Sequence, residues 1–316
     1  MEIDLEDLGR QVRDRYGLPI GSLAMAAPGE AAVGLVADGR HFVRAEPAAD
    51  LEGALAIPAA LNRDGGIRAA VAPYRTRGGR FTFRHGPYTV AVFPFVSGQP
   101  ASGSQIATAA SLLAAIHKRR LFLPTLRRVS LDHRLPQAVR QLLRTQSRRE
   151  SPHAAETRRL LQEERGAIEA VLSTVRRLNS DARKLPLHWA VTHGAPGPCN
   201  LLVDGSGSLH LIDWGQAALG PIERDLWHLR GDGFGAALLR YAEETGWRAD
   251  IHADLLALYE YRGWLLRLVR SAGALLDGHG GERAWLALRS CLPLQPGALE
   301  ESCTAMAAAT AAMGST

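Results

Sequence analysis

Apolar residues recur at helical spacing from the start of the chain, where Leu5, Leu8, Val12 and Tyr16 share one face of a helix predicted over 4–16. The period then changes. Short apolar runs at 22–27, 31–37 and 41–45, punctuated by Pro28-Gly29-Glu30 and Asp38-Gly39, read as three strands. A helix is predicted over 50–62, followed by strands at 70–74, 80–85 and 89–95, with Gly78-Gly79 and Gly86-Pro87 as turns. From 104 to about 180 the pattern is helical, broken by a charged, proline-containing stretch at 147–153. Leu201-Leu202-Val203 and Leu209-His210-Leu211-Ile212, joined by Asp204-Gly205-Ser206-Gly207, form a predicted hairpin. Helices follow at 235–244, 252–276 and 281–291, and the Ala-rich segment 303–316 is either a last helix or frayed. Strands first and helices after, with little alternation, predict an α+β fold rather than a parallel doubly wound sheet.

Composition agrees with a folded domain of this size. The chain has 316 residues, 46% of them hydrophobic, enough to bury a large core and to divide into two lobes. Mean hydropathy is −0.08, and no apolar run reaches the ~20 residues of a spanning helix, so no membrane role is expected. The opening Met1-Glu2-Ile3-Asp4-Leu5-Glu6-Asp7 is acidic and amphipathic, unlike a secretory signal. Cys199, Cys291 and Cys303 lack metal-ligand spacing and imply no disulfide framework. A cytoplasmic protein is expected.

The net charge of +5 comes from arginine, since lysine occurs only at Lys118 and Lys184. Arginines gather between 119 and 159, including Arg127, Arg128, Arg148 and Arg149. Such a run is either a solvated helical face or the footprint of an acidic partner. Aromatic residues are not interleaved with it as they are in single-strand binders, so nucleic acid is not the expected partner.

Candidate chemistry lies in 193–227. His193-Gly194-Ala195-Pro196-Gly197-Pro198-Cys199-Asn200 precedes the predicted hairpin, and Ile212-Asp213-Trp214 closes it. A hairpin brings its two flanks together, so Asn200 and Asp213 could share one hard cation through an amide and a carboxylate oxygen. The segment resembles the catalytic stretch of the aminoglycoside phosphotransferase and choline kinase family, H-G-D-x-x-x-x-N followed by an apolar strand and I-D-W or I-D-F. Gly220-Pro221-Ile222-Glu223-Arg224-Asp225-Leu226-Trp227 extends the resemblance, with the aspartate mainly structural. The departure is Ala195, which stands where the family carries its catalytic aspartate. Pro196, Gly197 and Cys199 differ from the family pattern as well, which marks natural divergence rather than one engineered change.

The resemblance implies a bilobal protein-kinase-like fold, with a small strand-rich lobe at 1–97 and a larger helical lobe at 98–316. It implies ATP and Mg²⁺ as cofactors, with Asn200 and Asp213 as metal ligands. Arg44 ends the third strand where the family has a phosphate-gripping lysine, and Glu52 on the next helix is its expected partner, with Glu46 and Asp50 also nearby. Val92-Phe93-Pro94-Phe95-Val96-Ser97-Gly98 resembles the hinge that meets adenine, which nominates Phe93, Phe95 and Val96 as cofactor-binding. The loop 28–34 lacks a full G-x-G-x-x-G. His193 is either a structural imidazole or a group that positions a hydroxyl in place of the missing carboxylate.

Three functions follow. The first is an ATP-dependent phosphotransferase acting on a hydroxyl of a small molecule or peptide. The second is a pseudokinase that binds nucleotide or scaffolds another protein. The third is the kinase component of a two-component Ser/Thr peptide dehydratase, with a lyase as partner protein.

Overall fold

The computed structural model describes residues 3–26, 33–47, 50–130, 134–145, 153–278, 280–294 and 298–314. The predicted turn at 28–30, with the glycine-poor loop around it, and nearly all of the predicted break at 147–153 lie outside the described residues.

Helix α1 (Leu5–Tyr16) begins because the Asp4 carboxylate accepts hydrogen bonds from the Glu6 and Asp7 backbone N–H groups, each at 3.0 Å. It ends at Gly17, whose φ of +67° provides the left-handed cap. Strands β1 (Leu23–Met25), β2 (Val33–Ala37) and β3 (His41–Pro47) follow, then α2 (Glu52–Arg63), β4 (Thr82–His85) and β5 (Tyr88–Pro94). They form an antiparallel sheet in the order β1-β2-β3-β5-β4. Leu8, Val12 and Tyr16 of α1 pack on Leu35, Val43, Phe83, Val90 and Val92 of the sheet, so the predicted apolar stripe is the face that is buried. In the sheet register Arg44 lies opposite Ala91.

Residues 70–74 differ from the expected strand. Ala70 makes only an isolated bridge to Leu211, and Tyr74 N–H bonds the Val92 carbonyl at 2.8 Å. Pro73 has no N–H to offer a ladder, so the segment touches two sheets without joining either.

Strand β6 (Gly98–Pro100) leads to α3 (Ile106–His117). Then come α4 (Leu135–Leu142), α5 (Ala154–Glu163) and α6 (Arg165–Ala182). The chain returns to short strands β7 (Trp189–Thr192), β8 (Leu201–Asp204), β9 (Leu209–Leu211) and β10 (Ala218–Pro221), then α7 (Glu223–Leu226) and α8 (Phe234–Thr245). The predicted hairpin is β8–β9, with β6 paired on its other edge. Strands β7 and β10 pair antiparallel, and α3 packs on α8. The last elements are α9 (Ala253–Leu276), α10 (Glu282–Arg289) and α11 (Ala298–Gly314).

The fold is α+β, with a strand-rich N-terminal part and a helical C-terminal part. Two compact units result, one of residues 1–129 and 189–246, the other of 130–188 and 247–316. This division by compactness is a different cut from a functional boundary at residue 97. In the second unit α9 is buried on nearly every face, and α4, α5, α6, α10 and α11 pack around it. No helix among the described residues is long and apolar enough to cross a membrane.

Candidate active site

The loop after β7 is held from below by a buried carboxylate. Asp225 on α7 accepts the His193 N–H at 2.7 Å and the Gly194 N–H at 2.6 Å, and lies 3.1 Å from His117 Nε2. Burial works to raise the Asp225 carboxyl pKa. The His117 hydrogen bond and charge, with Arg224 nearby, outweigh it and hold the carboxyl down to about 2. His117 Nδ1 is in turn 2.8 Å from the Tyr241 hydroxyl.

Glycine is required at 194. Its φ is +94°, and a β-carbon there would fall on the Arg224 guanidinium. Arg224 occupies that space because it donates to Thr192 Oγ1 at 2.7 Å and to the Gln216 carbonyl at 2.8 Å.

His193 is fully buried, and both ring nitrogens are engaged by backbone. Nε2 is 2.8 Å from the Ile212 carbonyl and Nδ1 accepts the Ala195 N–H at 3.2 Å. That pairing fixes the Nε2–H tautomer, and burial lowers the ring's pKa, keeping it neutral. The ring edge meets Trp214 at a centroid distance of 4.7 Å, and Trp214 Nε1 donates to the Leu211 carbonyl at 2.9 Å. Residues 193–195 are thereby tied to both ends of Ile212–Trp214.

Asn200 sits at the end of a tight turn, Pro198–Asn200. Its amide nitrogen donates to the Ala195 carbonyl at 2.9 Å, and its own carbonyl accepts the Ile212 N–H at 2.9 Å. The first bond fixes the side-chain amide and leaves its oxygen as the free end. The second joins Asn200 to the residue before Asp213, so the hairpin does bring the two predicted metal ligands to neighbouring backbone positions. Asp213 has a φ of +63°, a conformation uncommon outside glycine, with its side chain 43% exposed.

Arg44 reaches this point from the other sheet. It forms an ion pair with Asp213, a second with Glu46 at 2.9 Å, and its side chain is only 14% exposed. Its Nε is buried without a hydrogen-bond partner. The expected pairing with Glu52 is not found. Glu52 instead accepts the Phe81 N–H at 2.8 Å, the Thr82 N–H at 3.2 Å and the Thr82 hydroxyl at 2.7 Å. The edge of β4 offers donors close to the first turn of α2, whereas Glu46 stands two residues from Arg44 along the same strand face.

The proposed hinge is mixed. Phe93 is buried in β5, Phe95 is 37% exposed, and Val96 is half-buried. The Phe95 N–H is bonded to the Arg40 carbonyl at 2.8 Å. Among the described residues no cluster of three or more His, Cys, Asp or Glu has the arrangement of a metal site, so any cation here relies on an amide and a carboxylate.

The sequence offers Glu46 only as an acid near Arg44, second to Glu52, and gives no sign of His228. The His228 ring stands close to Gly197, and burial pushes its pKa down to about 3. Arg224 and Asp225 were visible as a motif, but their clamp on the loop was not, because it joins residues about thirty positions apart in sequence.

A family profile described as the phosphotransferase enzyme family matches residues 37–265, most of the chain and all of the site above. The chain belongs to the phosphotransferase enzyme family. Solved structures agree with this phosphotransferase in fold. Spectinomycin phosphotransferase, in complex with ADP and spectinomycin, superposes with a TM-score of 0.76 at 17% identity, covering 97% of this chain and 99% of that one. An aminoglycoside phosphotransferase from Alicyclobacillus acidocaldarius gives 0.53 at 18% identity over 97% and 96%. Amicoumacin kinase, in complex with AMP-PNP, Ca²⁺ and Ami, gives 0.61 at 10% identity over 96% and 94%. Comparison with curated protein sequences gives no match.

Proposed function

We propose that the protein is an ATP-dependent phosphotransferase acting on a hydroxyl of a small molecule or peptide, with an atypical catalytic loop. The observation that carries the reading is the convergence of Arg44, Asn200 and Asp213, drawn from distant parts of the chain and held by backbone bonds. The unpartnered buried Nε of Arg44 is a donor that a phosphate oxygen would satisfy. The free amide oxygen of Asn200 and the half-exposed carboxylate of Asp213 suit a hard divalent cation that keeps several waters. Such an ion, when bound, would neutralise charge on the nucleotide phosphates. Phe93, Phe95 and Val96 form the adenine side of the site, and residues 1–97 the nucleotide-binding lobe.

The chain's own contribution is positioning. Asp225, Arg224 and Gly194 fix the loop, and His193 and Trp214 fix the turn that carries Asp213. With both nitrogens engaged, His193 shapes the loop and does not handle a hydroxyl. Ala195 offers only a methyl group where a base would stand. General bases supply ~10²–10⁴-fold, so a slow enzyme is expected rather than an inert one.

A second reading, a nucleotide-binding pseudokinase, is favoured by Ala195 and by the ion pair that already engages Asp213. Turnover of labelled ATP with and without hydroxyl acceptors separates the two. A wild-type rate abolished by Asp213→Asn, and raised toward that ~10²–10⁴ range by Ala195→Asp, is the enzyme's signature. Nucleotide binding with no turnover in any form would establish the pseudokinase.

A further inference from the structure

The arginine-rich stretch noted in the sequence takes no part in the site above. Two of its members, Arg140 and Arg144, line a cleft in the second compact unit together with Arg165 and Arg176. Helices α4 and α6 both pack on α9, and the cleft of about 220 Å³ is floored by leucine side chains. A second hollow of about 530 Å³ shares Arg140 and Arg144 and adds Gln137 and Gln141.

Four guanidinium groups here face a single carboxylate, Glu169. That carboxylate is already taken, since Arg165 Nε donates to it at 3.0 Å. Arg176 is held by neutral groups, the Leu172 carbonyl and the Ser173 hydroxyl, both at 3.3 Å. The Arg140 and Arg144 guanidinium groups have no hydrogen-bond or ion-pair partner among the described residues. Arg165 also opens the 18-residue helix α6, the end at which the helix dipole favours an anion and disfavours a cation. Like charges gathered without compensation raise the local potential and draw in a counter-charge.

We propose that this cleft binds a small polyanion, a ligand carrying two adjacent oxyanion groups, either phosphate or carboxylate. Arginine presents a planar fork of donors that meets both groups bidentately. The volume is below the ~300–1,000 Å³ of sites that enclose a whole small molecule. The cleft therefore takes the charged head, and the rest of the ligand lies along the hollow beside Gln137 and Gln141. A nucleic acid fits less well, because no aromatic side chain lines the cleft for a base to stack on. The site is separate from Arg44, Asn200 and Asp213 and does not rest on the phosphotransferase reading.

The test is calorimetric titration of the full chain with pyrophosphate and, in a second arm, with citrate, in magnesium-free buffer. Both arms are run in an Arg44→Ala background, so that the candidate nucleotide site does not contribute. The expected result is saturable binding of at least one probe, weakened about tenfold or more by Arg140→Gln with Arg144→Gln. Binding of pyrophosphate alone assigns a phosphate ligand, and binding of citrate as well, or alone, a carboxylate one. Arg144→Gln alone, a change to an exposed side chain, carries the test should the double variant fold poorly. No binding of either probe at millimolar concentration overturns the proposal, as does affinity unchanged by these substitutions.

Discussion

At Gly194 a single hydrogen in place of a side chain lets Arg224 lie under the loop and bridge Thr192 to Gln216. Gly194→Ala should strain the positive φ and displace that guanidinium. The expected cost is on the order of 3 kcal/mol, read as a lower urea midpoint with unchanged slope. Titration gives a second prediction at this scale. His193 and His228 are both kept neutral in the folded state by burial, so their folded pKa values lie below the unfolded value of about 6.5. Both contributions to stability are complete above pH 6.5 and decline as pH falls below it, that of His228 over the range down to about 3. Asp225, held down to about 2, adds stability above its unfolded value near 3.9 and loses it only below that. Stability should decline in two stages on acidification, and His228→Phe should flatten the first. Denaturant midpoints measured from pH 8 to about pH 2 check this.

Among the elements, the helix stripes and the hairpin were legible because each is a local pattern. Leu5, Leu8, Val12 and Tyr16 at helical spacing announce an amphipathic helix, and Asp204-Gly205-Ser206-Gly207 announces a turn. The destinations of the acidic side chains were not legible. Glu46, Asp50 and Glu52 all lie within eight positions of Arg44 in sequence, and only the strand pleat and the exposed donors of β4 decide between them. Nor could sequence spacing show that Arg44 meets Asp213, 169 residues away. The element-scale prediction separates the two glutamates. Glu46→Gln should release Arg44 and change nucleotide affinity, whereas Glu52→Gln should loosen α2 from β4, lowering stability by about 1–2 kcal/mol while affinity holds. Paired thermal melts and nucleotide titrations distinguish them.

For the whole molecule, the motif at 193–227 carried the family and the strand-then-helix order carried the fold, and the family profile and structural neighbours agree with both. What the motif left open is the state of Asp213. Its carboxylate is shared with Arg44, so a phosphate that draws the guanidinium away also frees the carboxylate for a cation. Nucleotide and divalent ion should therefore bind cooperatively, each raising affinity for the other by the same factor. The most direct measurement is ADP affinity by calorimetry with and without Mg²⁺, in wild type and in Asp213→Asn. Magnesium should strengthen wild-type binding about tenfold or more, and that gain should vanish in Asp213→Asn while metal-free binding persists. No ADP binding by the wild type, or a magnesium effect undiminished in the variant, would contradict the site described here.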